Sequence, residues 1–452
     1  MEDKQKEKYE RLTTQPVEKL ICQLAVPCIL SMLVTAFYNM ADTYFVGKLE
    51  SNSATGAVGV VFSLMAVIQA VGFFFGHGSG NFISRELGEK NPEDAAKMAA
   101  TGFYLALIAG AVMCVLGEIF LGPLAAALGA TPTILPYAKD YLRVILLGAP
   151  WMTASLVLNN QLRFQGSAAY GMVGITAGAV LNIALDPLLI FGLDMGITGA
   201  AVATIVSQFV GFCLLLFQTG RGGNLRPRLK NVQFHLPYFR EIIRGGLPSL
   251  ARQGLASLAT VCLNRAAGPY GDAAIAAMAV VSRIMMFGGS ALIGFGQGFQ
   301  PVCGFNYGAG LFRRVRRGFW FCVKGSTGFL LVVSALGFCF APQLVAFFRD
   351  DPEVIAVGAA ALRCQCVTFP LAAWVVMSNM MLQTIGDTGP ATFLAMARQG
   401  IFFIPVVMVL PMTAAGLWGL MLAQPISDVL SFSSSIPFQM RSLRQMEREE
   451  TA

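Results

Sequence analysis

The sequence predicts an all-α polytopic membrane protein, with twelve transmembrane helices in two pseudo-symmetric six-helix bundles. Three observations carry this. Of 452 residues, 55% are hydrophobic and 13% charged; a soluble domain carries roughly 25% charged residues, so a bilayer is the natural solvent. Apolar stretches of about 20 residues, enough to cross the hydrocarbon core, recur along the whole chain. The third observation is an internal repeat.

The spans fall near 20–46, 54–82, 95–120, 134–162, 168–191, 196–217, 239–265, 273–303, 317–340, 354–383, 390–411 and 416–438. Residues 1–19 are densely charged, with no short apolar core ahead of a small-residue cleavage site. They read as a cytoplasmic tail and not as a signal peptide. The polar segment 218–238, with Gly220-Arg221-Gly222-Gly223 and a basic run, separates an N-terminal lobe at 20–217 from a C-terminal lobe at 239–440; residues 441–452 form a second tail.

Orientation follows from Lys and Arg, which stay on the cytoplasmic side. The N-tail, the even-numbered loops and the C-tail hold 23 of them, whereas the odd-numbered loops hold only Lys48, Arg265 and Arg349. Both termini are expected on the cytoplasmic side of the membrane. The net charge of +7 is thereby a topological signal and not a nucleic-acid footprint.

One constant offset along the chain superposes Gly76 on Gly296, Gly88 on Gly308, Pro132 on Pro352 and Arg143 on Arg363. By the same offset Pro150 falls on Pro370, Asn159 on Asn379, Gly166 on Gly386 and Gly199 on Gly419. Pro27 meets Pro248 with a one-residue slip. Six spans per half keep both halves in one orientation, and such parallel repeats enclose substrate paths at their interface. The expected function is transport.

Ionisable residues inside spans cost about 2.5 kcal/mol or more and are functional candidates by default. Asp42 stands in the first span and Asp186 in the fifth. At about 1.5 Å per residue, Asp42 lies about 7 Å and Asp186 about 9 Å below the outer end of its span, with Thr204 and Tyr141 near 12 Å. Asn182 shares a helical face with Asp186, and Asn39 shares one with Asp42. Pro187 removes a backbone donor beside this layer, as Pro27 does lower in the first span. Carboxylate, amide, hydroxyl and freed carbonyl oxygens suit Na+ or a proton. Two aspartates in a poorly solvated bundle would resist ionising together, which is the coupling chemistry of an antiporter. The structural alternative is a pair of aspartates bonded to helix ends.

At these residues the chain resembles the multidrug and toxic compound extrusion (MATE) family, specifically its bacterial exporters. The likeness is carried by Asn182-x-x-x-Asp186-Pro187-x-x-Ile190-Phe191, Gly196-x-x-Gly199-Ala200-Ala201-x-Ala203-Thr204, and Gly296-Gln297-Gly298-Phe299-Gln300-Pro301 leading into Gly304-Phe305-Asn306-Tyr307-Gly308-Ala309, together with Pro27. It implies an N-lobe cation site at Asp42, Asn182, Asp186 and Thr204 with Tyr141 nearby, to which Asn39 is added here on helical phase. It also implies export of amphipathic, often cationic compounds by antiport with Na+ or H+ through a V-shaped pair of lobes. One branch of the family carries a glutamate in the seventh span; here Ala256 and Ser257 stand at that place, leaving Asp428 as the candidate acid of the C-lobe.

Candidate substrate contacts are Asn159, Asn160, Asn379 and Gln383, polar residues in repeat-related spans, together with Gln297. The intramembrane arginines Arg143, Arg252, Arg283, Arg363 and Arg398 are expected to snorkel or to bond helix ends. A substrate role for any of them would favour anions. The Gly-rich groups near Gly76 and Gly296 lack a Walker lysine and serve close helix packing.

No cofactor is expected. Two histidines and ten scattered cysteines provide neither a zinc site nor a disulfide framework. The absence of a Ser–His or Cys–His arrangement argues against an intramembrane enzyme. The expected partners are the lipid bilayer and small amphipathic substrates, with no nucleic acid and no obligate protein partner. The rival within transport is a flippase for a lipid-linked saccharide or other anionic amphiphile, which would need a cationic cleft. A major-facilitator transporter would show an acidic-and-basic loop that Ser84–Lys90 lacks.

Overall fold

The computed structural model describes residues 2–49 and 52–451, which contain helices and no strand. The N-lobe runs through α1 (Glu2–Thr14), α2 (Val17–Gly47), α3 (Asn52–Gly88), α4 (Pro92–Ile119), α5 (Leu121–Ala127), α6 (Leu135–Phe164), α7 (Ala168–Pro187) and α8 (Gly196–Gln218). The C-lobe runs through α9 (Leu236–Ala267), α10 (Asp272–Gly308), α11 (Phe312–Cys339), α12 (Ala341–Phe348), α13 (Pro352–Thr368), α14 (Leu371–Ile385), α15 (Thr388–Met396), α16 (Phe403–Val409) and α17 (Leu417–Thr451). Each expected span has its helix or helix pair. Among the described residues, nine are long and apolar enough to cross a membrane by themselves, and α13 with α14 makes a tenth. The other two are α9, with Arg252 in its middle, and α17, whose run from Ser431 to Ser435 dilutes the apolar stretch.

Several expectations change. The tenth span is bent by 57° between α13 and α14, where Pro370 lacks a backbone donor; its repeat partner Pro150 lies inside a continuous α6. The fifth and eleventh spans each contain a π-helical turn, Leu188–Gly192 and Ala397–Ile401. Two unexpected short helices, α5 and α12, occupy equivalent places in the repeat. Phe348 therefore closes a helix, and Asp351 caps α13 by accepting from the backbone N–H of Glu353 at 2.9 Å.

Neither tail is a loose extension. Within 1–19, Glu2–Thr14 form α1, whose Leu12 is fully buried in a cluster with Leu20, Phe299 and Phe305. Residues 441–451 continue α17, burying Leu443 and Met446, while Arg316 pairs with Glu447 and Glu450 at 3.1 and 2.8 Å. Both dockings share a cause. Charged segments with apolar residues at helical spacing dock as amphipathic helices, and charge count alone hides that spacing.

On α1, Lys8 donates to Asn224 at 2.7 Å. Burial and the neighbouring Arg11 lower its pKa from 10.5 to about 7. The unfolded chain then binds more protons between pH 7 and 10.5, so stability rises with pH across that window. Thermal melts should show this rise, and Lys8→Met should remove it; parallel pH profiles for the two proteins would contradict the assignment.

The lobes join at the end that carries both termini. There α2 packs on α10, and α3 on α9 and α10. The seam is reciprocal: a Cβ at Gly88 would overlap the carbonyl oxygen of Phe305, and one at Gly308 would overlap that of Arg85. Arg85 and Phe305 are themselves partners in the repeat, related by the offset that pairs Gly88 with Gly308. Arg85 also crosses the seam, donating to Thr384 O at 2.7 Å and pairing with Glu241 at 2.9 Å. Arg314 donates to Gln15 O at 2.6 Å, and Tyr238 to Asp94 at 3.1 Å. Among the described residues, the hydrogen bonds and ion pairs across the seam all lie in this half. Toward the other end the buried apolar clusters separate, one drawing only on N-lobe helices and one only on C-lobe helices, so the lobes part there around a cleft.

Candidate functional site

The expected cation site draws on four helices of the N-lobe, and the fold brings them to one place. Asp186 on α7 is wholly buried; Asn182 on the same helix, Thr204 on α8 and Tyr141 on α6 are nearly so, and Asp42 on α2 is 7% exposed. Asn182 lies one turn before Asp186, and its Nδ2 donates to Thr204 Oγ1 at 3.5 Å. Thr204 Oγ1 donates in turn to Ala200 O at 3.0 Å. The Tyr141 hydroxyl faces Thr204 within electrostatic range of both carboxylates. Asp42 and Asp186 lie within range of each other. Asn39, one turn before Asp42, takes part in a contact of its own.

Asp186 holds its position because Pro187 ends the α-helix immediately after it and the chain continues as the π turn. Both oxygens of Asp186, Oδ1 of Asp42 and Oδ1 of Asn182 are buried with no hydrogen-bond partner. Buried polar atoms are nearly always satisfied, so four orphaned acceptors in one site are an exception with a chemical meaning. Four oxygens, two of them on one carboxylate, fit a proton or a small hard cation as cargo. No group of three or more His, Cys, Asp or Glu side chains arranged to hold a metal ion occurs among the described residues.

A cavity of about 90 Å³ adjoins this site, lined by Thr35, Tyr38, Gln69, Ser155, Asn159 and Gln208 among others. That is room for about three waters. Tyr38 and Gln208 face each other, and Tyr38 also senses both aspartates. Sequence reasoning overlooks these two, although each stands one helical turn from a residue it singles out, Asp42 and Thr204.

The candidate substrate residues scatter. Asn159 reaches the cavity. Asn160 donates to Leu156 O at 2.7 Å and accepts from Arg163 at 2.6 Å. Asn379 donates to Ala391 O at 2.6 Å, and Gln383 donates to Gly245 O at 2.7 Å and Ser249 at 2.8 Å. Gln297 is buried in α10. In the C-lobe, Asp428 accepts from Arg398 at 2.8 Å, Gln424 at 2.9 Å and Thr368 at 3.1 Å. Its charge is answered within the chain, unlike that of the N-lobe pair. Arg363 donates to Phe338 O at 3.1 Å, the helix-end role expected of it, while Arg143 lies 3.6 Å from Glu118.

Two repeated six-helix lobes, joined at one end and holding a carboxylate pair in one of them, define a multi-pass membrane transporter. The sequence model of the MatE family matches residues 27–188 and 248–409, one match in each lobe. The two matches start at Pro27 and Pro248, the prolines that the internal repeat pairs. The chain belongs to the MatE family. It is 26% identical over 425 residues to the multidrug export protein MepA of Staphylococcus haemolyticus (strain JCSC1435), covering 91% of this chain and 92% of that one. MepA of Staphylococcus aureus (strain MRSA252) is likewise 26% identical, with 94% of both chains covered. Among solved structures, a MATE in complex with MaD3S superposes with a TM-score of 0.91 at 26% identity, covering 97% of this chain and 98% of that one. An outward-facing multidrug resistance MATE family transporter of the MOP superfamily gives 0.90, also at 26% identity and with the same coverage.

Proposed function

We propose that the chain is a secondary active multidrug efflux transporter of a bacterial plasma membrane, exporting amphipathic and often cationic compounds by antiport with Na+ or H+. The carrying observation is the set of four partnerless oxygens at Asp42, Asn182 and Asp186. A site that needs a positive species to be satisfied has different energies empty and filled. That difference can bias the two lobes between two arrangements. The names of the staphylococcal relatives support multidrug export.

With both termini cytoplasmic, the seam of Gly88 and Gly308 closes the inner side and the cleft opens outward. Entry of a cation at Asp42 and Asp186 from that side would favour the inward-open arrangement, where cargo loads. Its release inside would reset the cycle. A second reading, a flippase for a lipid-linked saccharide or other anionic amphiphile, is favoured by one observation only: two arginines at the foot of the cleft.

Ethidium efflux from proteoliposomes tests the proposal. Imposing an inward Na+ or pH gradient should accelerate efflux, and an ionophore that collapses the gradient should stop it. Efflux indifferent to both gradients would refute antiport.

A further inference from the structure

The foot of the cleft carries positive charge that the chain does not neutralise. On α9, Gly245 and Gly246 pack against Gly78 and Phe74 of α3 where the lobes meet. Arg252 lies two helical turns further out on the same face, where the lobes diverge. Its guanidinium lies within electrostatic range of His77 and Arg163, both on the opposite lobe. Arg163 is 3% exposed. It donates to Asn160 at 2.6 Å, lies 3.2 Å from the His77 ring and stacks on Phe164 at 4.9 Å, while its Nε has no hydrogen-bond partner. The polar contact made by Arg252 is a 3.4 Å hydrogen bond to Asn379.

By contrast, Arg85 pairs with the carboxylate of Glu241 and Arg398 with that of Asp428, and Arg363 bonds a helix-end carbonyl. Arg163 and Arg252 repel each other, and among the described residues neither forms a salt bridge. Buried charges are normally paired, and an intramembrane charge without a partner points to one supplied from outside the chain. A guanidinium matches the planar or tripod oxygens of carboxylate, sulfonate and phosphate.

We propose that Arg252, backed by Arg163 and His77, forms an anion-recognition site at the foot of the cleft for the acidic group of an amphiphilic cargo. As a transport step this rests on the export reading above; as a binding site it does not. The cargo class then includes amphiphilic acids and zwitterions, whose apolar part lies along the cleft walls while the acidic group reaches Arg252.

The test compares two dansyl probes with the same alkyl chain, one ending in a sulfonate and one in a trimethylammonium, titrated into purified protein by fluorescence. Wild type should bind the sulfonate at least about tenfold more tightly than its cationic twin. Arg252→Gln should remove that tenfold preference without weakening the cation, and Arg252→Lys, which keeps the charge, should retain most of it; each is scored only as a monodisperse protein. Equal sulfonate affinity in wild type and Arg252→Gln would overturn the assignment. So would inorganic sulfate that competes as tightly as the probe, because the site would then take a bare anion. Ethidium efflux in liposomes is a separate measurement, so failure of export and failure of this site are told apart.

Discussion

Replacing Asp186 with asparagine should bring gradient-driven ethidium efflux down to the level of protein-free liposomes, a loss of roughly a hundredfold, the upper range of coupling between two sites. The two side chains have the same shape, so packing around a wholly buried position survives. What is lost is the ability to carry a negative charge in one state and have it neutralised in the other. Asparagine also brings two donors into a site whose neighbours are Asp42 and Thr204, so the amide can satisfy Asp42 and mimic the ion-bound state permanently. The variant should therefore stay biased to the inward-open arrangement, still binding ethidium while net pumping disappears. Asp42→Asn should act in the same direction. Undiminished pumping by Asp186→Asn, in protein that melts like wild type, would remove the carboxylate pair from the coupling mechanism.

The double variant Gly88→Ala, Gly308→Ala should close the outer cleft. Each new methyl meets a backbone carbonyl and not the end of a flexible side chain, at Phe305 and Arg85 respectively, so neither can be relieved by a rotamer change. Overpacking of this kind costs about 1–3 kcal/mol per site. A combined cost of about 4 kcal/mol shifts a two-state equilibrium by roughly a thousandfold. The cost falls on the arrangement in which the inner ends touch. Spin labels replacing Phe120 and Phe340, exposed residues beyond the outer ends of α4 and α11, should report a shorter distance in the variant than in the parent, both in a cysteine-free background. An unchanged distance would show that the seam yields without moving the lobes.

Much of this architecture is visible before any coordinates are. Span count and the two lobes follow from apolar length and from one constant offset between the halves, because the bilayer imposes a length scale that composition reveals. Counting about 1.5 Å per residue from the span ends puts Asp42, Asp186, Thr204 and Tyr141 in one layer, with Asn182 added as the face-mate of Asp186, which works because α-helices crossing one slab share a ruler. The same ruler says nothing about azimuth. Asn159 and Asn160 are neighbours in sequence, yet one lines a cavity and the other holds Arg163. Gln383 and Asn379, chosen for polarity and repeat position, are committed to helix–helix hydrogen bonds that only packing reveals. The docked α1 and the extended α17 escape a reading by composition because charged residues dominate it, while a few apolar residues, Leu12, Leu443 and Met446, decide where these helices lie.

The prolines at 150 and 370 occupy matching places in the duplicated chain, but one sits in an unbroken rod and the other at an elbow. A rod transmits displacement along its length. Movement at the outer end of α6 is delivered to Gln161 and Arg163 at its inner end, the same rod that carries Tyr141 beside the carboxylates. A displacement of α13 would be taken up at the 57° bend around Phe369 and Pro370 before it reached Gln383. Duplication has thus produced one stiff lever and one jointed arm from a common part. On the proposed reading, a displacement set off at the carboxylates would have a direct route to the foot of the cleft, and the bend in the other lobe would give it compliance for cargoes of different girth.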